Sequence, residues 1–175
     1  MKPKSRVKFM FGLVLLVSAF FFAFHYEQRT DEAIVSMNTG VVVSDLEKSL
    51  DFYTNVLGMT KVSTFRADAE LAESAGLTKG KAIDVVNLKI NDLPNAPMYK
   101  LAKIEGVKTA ALSNSFNPGL RYITIVVNDL TPYLKRFKES DIHVWSKKSP
   151  VTAPQGFKVI VVQDPDGAVV ELIQK

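Results

Sequence analysis

Residues 41–46 read Val-Val-Val-Ser-Asp-Leu, and 84 positions later residues 125–130 read Ile-Val-Val-Asn-Asp-Leu. Each copy is an apolar, β-branched run that stops at an Asp, a residue type that caps the start of a following helix. Apolar residues at helical spacing follow both copies: Leu46, Leu50, Tyr53 and Leu57 in the first, Leu130, Leu134 and Phe137 in the second. The sequence therefore predicts two copies of one strand–helix unit.

Three strand-like segments follow each predicted helix. They span residues 59–65, 82–90 and 98–104 in the first half, and 142–146, 157–163 and 168–174 in the second. A tight turn is expected at 164–167 (Asp-Pro-Asp-Gly), with its counterpart at 94–97, and an inserted helix at 69–75 closes at Gly76. The predicted fold is α+β: two βαβββ modules, about 34–106 and 118–175, that form an eight-stranded, pseudo-symmetric domain.

The N-terminus has the pattern of a targeting segment. Lys2, Lys4, Arg6 and Lys8 precede an uncharged apolar run of residues 9–24, about 24 Å long as a helix. We expect one transmembrane signal anchor within residues 1–26 and a polar linker at 27–33. The basic flank predicts that the domain lies outside the cytoplasm, as a single-pass protein of the bacterial inner membrane facing the periplasm. Secretion to the periplasm after cleavage is the alternative.

Charge and cysteine content exclude several classes of function. The net charge is +4, from 22 basic and 18 acidic residues, and the four basic residues of the N-terminus account for all of it. The remaining chain is neutral, which argues against nucleic acid as a partner. The chain has no cysteine, so disulfides, thiolate metal sites and cysteine nucleophiles are excluded.

Two segments carry a family resemblance. VVVSDLEKSLDFYTNVLGM at 41–59 resembles the strand–helix entry of the vicinal oxygen chelate superfamily, and VIVVQDPDGAVVELIQ at 159–174 resembles its closing hairpin. This superfamily includes glyoxalase I, bleomycin-resistance proteins and extradiol dioxygenases. The resemblance covers residues 34–175 and implies a glyoxalase-like fold. It also implies a divalent metal between the modules, ligated from the first and last strand of each, and a possible homodimer in which modules pair between chains.

The four positions that the resemblance assigns to metal ligands read Asn38, Lys100, Tyr122 and Glu171. Only Glu171 is a ligand of the usual type, and a protonated Lys100 would repel a divalent cation. We therefore expect no metal and no other cofactor. We expect instead that Lys100 pairs with Glu171 across the cavity, with Asn38 and Tyr122 as hydrogen-bonding neighbours. A divalent metal held by Glu171 with non-standard partners is the alternative.

Each of these residues also has a simpler reading. Glu171 could be a surface acid, Lys100 could extend into solvent, and Tyr122 could be a core aromatic residue with a satisfied hydroxyl. His143 and Trp145 lie on one face of a predicted strand, where they could line a ligand pocket or pack as a cross-strand pair.

Three functions remain open. The first is metal-free binding of a small molecule or peptide in the cleft between the modules, without catalysis. The second is a metal-dependent lyase, isomerase or dioxygenase. The third is a structural or interaction module of an envelope complex. The residues at the four positions that the resemblance assigns to metal ligands favour binding over metal chemistry.

Overall fold

A computed structural model of the protein describes residues 36–108, 119–120, 122–146 and 149–175. The segment Ser36–Lys175 forms one compact unit. The predicted anchor at 1–26 and linker at 27–33 lie outside the described residues. Within the described part of the chain, no helix is long and apolar enough to span a membrane.

The domain consists of two four-stranded sheets. The first contains β1 (Thr39–Val42), β2 (Thr60–Ala67), β3 (Ile83–Lys89) and β4 (Met98–Ile104), in the order β1-β4-β3-β2. The second contains β5 (Tyr122–Val127), β6 (Val151–Thr152), β7 (Lys158–Gln163) and β8 (Val169–Gln174), in the order β5-β8-β7-β6. In both sheets the first strand pairs in parallel with the last, and the other pairs are antiparallel. The predicted pair of α+β modules with equivalent topology is confirmed.

Within the described ranges, three helices accompany the sheets: α1 (Leu46–Asp51), which continues as a π-helical turn (Phe52–Val56), α2 (Ala69–Ser74) and α3 (Thr131–Glu139). Asp45 caps α1 as predicted, because its side chain accepts a hydrogen bond from the Lys48 amide at 3.0 Å. Gly58 follows this helix with a φ of +81°, a conformation that glycine adopts without steric cost. The inserted helix α2 is also present.

The second helix starts differently from the prediction. Asp129 does not cap α3, whose N-cap residue is Leu130. Asp129 instead accepts hydrogen bonds from the amide and the hydroxyl of Thr131, at 2.9 and 2.8 Å. The cause is Pro132, which has no amide hydrogen to offer an Asp129 cap and which fits the first turn of a helix.

The prediction of a strand at 142–146 is wrong, because this segment does not form a regular strand. It forms one isolated bridge, Val144 to Val162, and the fourth strand of the second sheet is the short β6 instead. The Trp145 amide donates to the Val161 carbonyl at 2.8 Å, but the Val161 amide donates to the Ser146 hydroxyl at 3.0 Å. The hydroxyl of Ser146 thus accepts a hydrogen bond that a backbone carbonyl would accept in a regular strand, and the strand pairing ends there.

One hydrophobic core joins both modules. It takes fully buried residues from each sheet, such as Leu101 and Leu172, from the π-helical turn after α1, such as Tyr53, and from α3, such as Phe137. α1 and α3 cover one face of the sheets, and the side chains that alternate with the core residues lie on the opposite face. On that opposite face of the first sheet, Ala72 of α2 packs in a smaller cluster with Ala67, Ile83, Val85 and Ala102. We call this opposite face of each sheet the open face.

Polar contacts fix how the modules pack. The Tyr53 hydroxyl donates to Asp164 at 2.9 Å, and the Ser44 amide donates to Asp166 at 3.1 Å. Both acceptors lie in the tight turn before β8, where the Gly167 amide donates to the Asp164 carbonyl at 3.0 Å as the turn sequence predicts. The turn of the second module therefore holds the helix of the first.

Candidate functional site

The strand registers make Lys100 and Glu171 equivalent positions. In the first sheet Val41 pairs with Leu101, and in the second Ile125 pairs with Leu172. These pairs are related by the same offsets, 84 and 71 residues, that the sequence repeat has. Lys100 and Glu171 each precede the paired leucine, and both lie on the open face of their sheet.

A row of polar residues crosses the open face of the first sheet. Lys100 on β4 pairs with Gly40 on one side and with Asn87 on the other, and Asn87 pairs with Ser63 on β2. A bulge at Val62 shifts the register of β2 so that Ser63 lies opposite Asn87. We call Gly40, Lys100, Asn87 and Ser63 the first row.

Asn87 is the buried polar member of the first row. Only 8% of its surface is exposed, and its Nδ2 donates to the Ser63 hydroxyl at 2.9 Å. Its Oδ1 is the one buried side-chain oxygen or nitrogen, among the described residues, that has no hydrogen-bond partner. An unsatisfied buried polar atom costs about 1–3 kcal/mol, so this amide has an unmet bonding requirement at the open face.

The equivalent row of the second sheet has a different chemistry. Glu171 pairs with Thr124 and with Val161, and the next position outward is Trp145. The Thr124 hydroxyl donates to Oε2 of Glu171 at 2.7 Å. We call Thr124, Glu171, Val161 and Trp145 the second row. It combines one carboxylate with an exposed aromatic ring, 42% accessible.

The predicted Lys100–Glu171 ion pair does not form within the chain. Among the described residues, the ion pairs within 4.0 Å involve Arg66 with Asp84 and Glu105, and Lys135 with Glu139. Lys100 and Glu171 lie on separate sheets, and the packing of the helices against each other sets the position of those sheets. The carboxylate of Glu171 therefore bonds to Thr124, its neighbour in the same row.

The other predicted site residues lie at the edges of the open faces. The Oδ1 of Asn38 accepts a hydrogen bond from the Met98 amide at 2.7 Å, which extends the β1–β4 pairing by one residue. Tyr122 begins β5 and is 60% exposed, so its reading as a core aromatic residue is wrong. His143 and Trp145 are both exposed, and the described contacts do not bring either beside Lys100.

A second polar cluster lies buried between the modules. The hydroxyls of Tyr53 and Tyr99 lie 3.0 Å apart, and Tyr53 also donates to Asp164. Burial raises the pKa of Tyr53 far above its ordinary value, and it raises the pKa of Tyr99 to about 12. Burial also raises the pKa of Asp164, against the hydrogen bonds it accepts from Ala168 and Tyr53. This cluster is a structural contact between modules, since it lies on the helix side of the sheets.

Sequence reasoning missed Ser63, Asn87 and Thr124. Asn87 had a usable signal, because it is an amide within the apolar run Val-Val-Asn-Leu at 85–88. Ser63 had none, because its place opposite Asn87 depends on the bulge.

The four positions that the resemblance assigns to a metal do not fit one. The Asn38 oxygen already accepts the Met98 amide, Lys100 carries an ammonium, and Tyr122 is largely exposed at a strand end. In the described ranges, no three His, Asp or Glu side chains lie close enough together to hold an ion. Neither the donor types nor their placement suits a divalent cation.

Comparison with known proteins places the fold in a family. The model of the Glyoxalase/Bleomycin resistance protein/Dioxygenase superfamily matches residues 34–172. The chain belongs to this superfamily. The resemblance expected from the two sequence motifs is thereby confirmed.

Curated relatives of the chain include two lactoylglutathione lyases of Neisseria meningitidis, from a serogroup A and a serogroup B strain. Each is 29% identical to this chain over 140 residues, which is 79% of this chain and 89% of the relative.

Solved structures of the superfamily share the fold. A glyoxalase family protein from Bacillus cereus has a TM-score of 0.68 at 13% identity, covering 83% of this chain and 97% of that one. The trypanothione-dependent glyoxalase I of Leishmania major has a TM-score of 0.60 at 22% identity, covering 81% and 87%. At these identities the likeness concerns the fold alone.

Proposed function

We propose that this superfamily member is a metal-free binding domain. It holds a small molecule against the open faces of its two sheets and is tethered outside the cytoplasm by its N-terminal segment. The observation that carries the proposal is Lys100, an ammonium at the position where the superfamily resemblance implies an acidic metal ligand. A protonated amine cannot ligate a metal and repels it, whereas it suits a polar or anionic ligand.

The open faces supply the apolar surface that a small-molecule site requires. Large side chains with exposed fractions between 42% and 60% lie on both open faces: Val42 and Phe65 on the first sheet, and Tyr122, Val126 and Trp145 on the second. Together with the two polar rows, they offer apolar contact with a few fixed polar groups.

A second copy of the chain closes this site. Lys100 and Glu171 do not meet within one chain, and solvent-exposed apolar residues of this kind are common at interfaces between proteins. In a two-fold dimer the first row of one copy would face the second row of the other. The ligand would then lie between an ammonium and a carboxylate.

The tether is proposed from the sequence. Four basic residues precede the apolar run at 9–24, and the flank after it carries Glu27, Asp31 and Glu32 against Arg29. This asymmetry favours retention of the basic side in the cytoplasm. Protease treatment of intact and of lysed spheroplasts tests it, since an outward-facing domain is digested in both.

Metal content and mass are the direct tests of the binding proposal. The full chain, purified in detergent, is analysed for Zn, Ni, Fe and Mn and by native mass spectrometry. We expect less than one metal per ten chains, a dimer mass, and additional mass when a small molecule is retained. Stoichiometric metal would overturn the metal-free proposal, and a monomer at all concentrations would overturn the closed site.

A variant sharpens this test. The triple variant Asn38→His, Lys100→Glu, Tyr122→His supplies imidazole and carboxylate at the three non-ligand positions and retains Glu171. We expect it to bind one divalent ion per site, while a matched variant with Lys100→Gln in place of Lys100→Glu binds more weakly. If the unaltered chain binds metal as well as the triple variant, the identity of these four residues does not govern metal binding.

The relatives favour a second candidate function. The two lactoylglutathione lyases are 29% identical over most of their length. A lyase or isomerase of that class would need a metal or a protein group acting in its place, with Glu171 as the one acid. An assay of the full chain with methylglyoxal and glutathione, with and without added Zn²⁺ or Ni²⁺, tests this candidate. Turnover that is lost in Glu171→Gln would establish it.

A further inference from the structure

We propose that Lys100, Asn87 and Ser63 form a subsite for an acidic group, a carboxylate or phosphate, on the bound small molecule. This inference rests on the proposed binding function and deepens it by naming the chemical class of the ligand. These three residues lie side by side on three neighbouring strands.

One polar atom of the Asn87 side-chain amide has no hydrogen-bond partner among the described residues. Its amide is bonded to Ser63 at one end and to nothing at the other, although the residue is only 8% exposed. Rotating the amide by 180° exchanges its oxygen and nitrogen, and the Ser63 hydroxyl can serve either end because it both donates and accepts. One end of Asn87 therefore lacks a partner in both orientations. In the rotated orientation this end is an N–H donor.

Lys100 is the strand neighbour of Asn87 on the side away from Ser63. It is half-buried and pairs with Asn87 across the antiparallel β3–β4 ladder. Its ammonium forms no hydrogen bond or ion pair with any residue that the structure describes. By contrast, the ammonium of Lys103, on the same strand, is bonded to the Ser44 carbonyl.

There is room for a ligand beside Lys100. The residue on its other side is Gly40, which has no side chain, and a Cβ built there would have no atom within 4 Å. The φ of Gly40 is not in the left-handed region, so backbone conformation does not explain the glycine. Lys100 is therefore flanked by the open space at Gly40 on one side and by Asn87 on the other.

Donors on two paired strand residues fit an anion with several oxygen acceptors. The Lys100 ammonium gives a charge-assisted hydrogen bond, and the Asn87 amide gives a second bond from a fixed, buried position. A neutral ligand would leave the ammonium unpaired. The second row has a carboxylate at the equivalent position and does not suit an anion, so the subsite belongs to the first sheet.

Protection of Lys100 from acylation tests the subsite. The full chain in detergent is treated with a limiting amine-acylating reagent, and the rate at each lysine is measured by peptide mass spectrometry. Sodium acetate, sodium phosphate and sodium chloride are compared at equal ionic strength. We expect the Lys100 rate to fall with acetate or phosphate along a saturation curve, about threefold at twice the Kd. Lys135, an exposed residue of α3, should be unaffected.

Two variants separate a built site from general screening. Asn87→Leu keeps a similar volume and removes the amide, and Ser63→Ala tests the same row if the first variant folds poorly. We expect either to abolish anion protection of Lys100. Ser140→Ala, at the exposed end of α3 and outside both rows, is the matched control and should retain it.

Each outcome has a defined meaning. Protection by acetate alone identifies a carboxylate, protection by phosphate alone identifies a phosphate, and both support the subsite. Equal rates in acetate, phosphate and chloride overturn it. Slow acylation of Lys100 without added anion, relieved by Glu171→Gln, also overturns it, because Lys100 is then paired with Glu171 of a second copy. Metal analysis is independent: bound metal would overturn the proposed function even where the anion protects Lys100.

Discussion

The first and second rows occupy equivalent places in two repeated modules, yet they differ at all four positions. Gly40, Lys100, Asn87 and Ser63 stand in the first sheet where Thr124, Glu171, Val161 and Trp145 stand in the second. The leucines beside the central residue of each row are by contrast identical and fully buried. The repeat therefore preserves the face that makes the core, and it varies the face that can meet a ligand.

The largest expected effect tests the equivalence of the two cores. Leu101→Ala and Leu172→Ala should each lower the free energy of unfolding by about 2–5 kcal/mol, because each removes a fully buried side chain of one shared cluster. Urea denaturation followed by circular dichroism measures it. Both variants should unfold in one transition.

The control for this pair is Leu71→Ala on α2. Its side chain is 59% exposed, so a change within about 0.5 kcal/mol is expected. Two separate transitions in either leucine variant would mean that the modules unfold independently and that the core is not shared.

The contact between modules should have the next largest effect. Tyr53→Phe removes a hydroxyl that donates to Asp164 and bonds to Tyr99, and it leaves a buried carboxylate short of a donor. We expect a loss of about 1–3 kcal/mol in the free energy of unfolding. Tyr133→Phe on α3 is the control, because no hydrogen bond of its hydroxyl is found in the described residues. An equal loss in both variants would remove the case for an inter-module contact.

A smaller effect concerns pH. Burial raises the pKa of Asp164 above the value of about 3.9 for a free Asp. Between these two pKa values the folded chain binds more protons than the unfolded chain, so the free energy of unfolding falls as pH rises through that window. Asp164→Asn keeps an oxygen to accept the Asp166 and Ala168 amides, and it should remove this part of the pH dependence.

Urea midpoints measured from pH 4 to pH 7 check the Asp164 prediction. Asp92→Asn, at an exposed position, is the control and should keep the pH dependence of the unaltered chain. An Asp164→Asn profile that parallels the unaltered one would show that burial does not raise this pKa.

The smallest expected effect is spectroscopic and concerns the second row. Trp145 is the one tryptophan of the chain and is 42% exposed, so its fluorescence reports on the open face of the second sheet. If a second copy covers this face, the emission should shift to the red on dilution as the dimer separates. Val126→Glu should give the red-shifted emission at every concentration. A concentration-independent spectrum, with a monomer in sedimentation, would contradict the dimer.

Local signals of the sequence predicted most of the fold. The Asp45 cap, the glycine after α1, the turn at 164–167 and the apolar helix faces depend on neighbours along the chain, and all of them are present. The failures were also local: Pro132 moved the start of α3, and Ser146 ended the pairing of segment 142–146. In both cases one side chain, Pro132 or Ser146, changed the hydrogen bond that comparison of the two repeats would predict.

The candidate site was predicted less completely. The repeat offsets identified Lys100 and Glu171 as equivalent positions, and the strand registers agree. The prediction that they meet was wrong within the chain, because equivalence in a repeat says nothing about the distance between the two copies. Ser63 could not be predicted at all, since a bulge of one residue reverses which side of a strand each side chain faces.

The two modules, most of their strands along the chain and the chemical types at the four positions follow from the sequence, because periodicity and residue chemistry are properties of the chain. Which of those groups are neighbours depends on the tertiary structure. Asn87 lies beside Lys100 through strand pairing, whereas Glu171 lies on the other sheet, and contacts such as that of Tyr53 with Asp164 hold the helix of the first module against the turn of the second. Hydrogen bonding and packing between distant segments set these distances, and no local pattern encodes them.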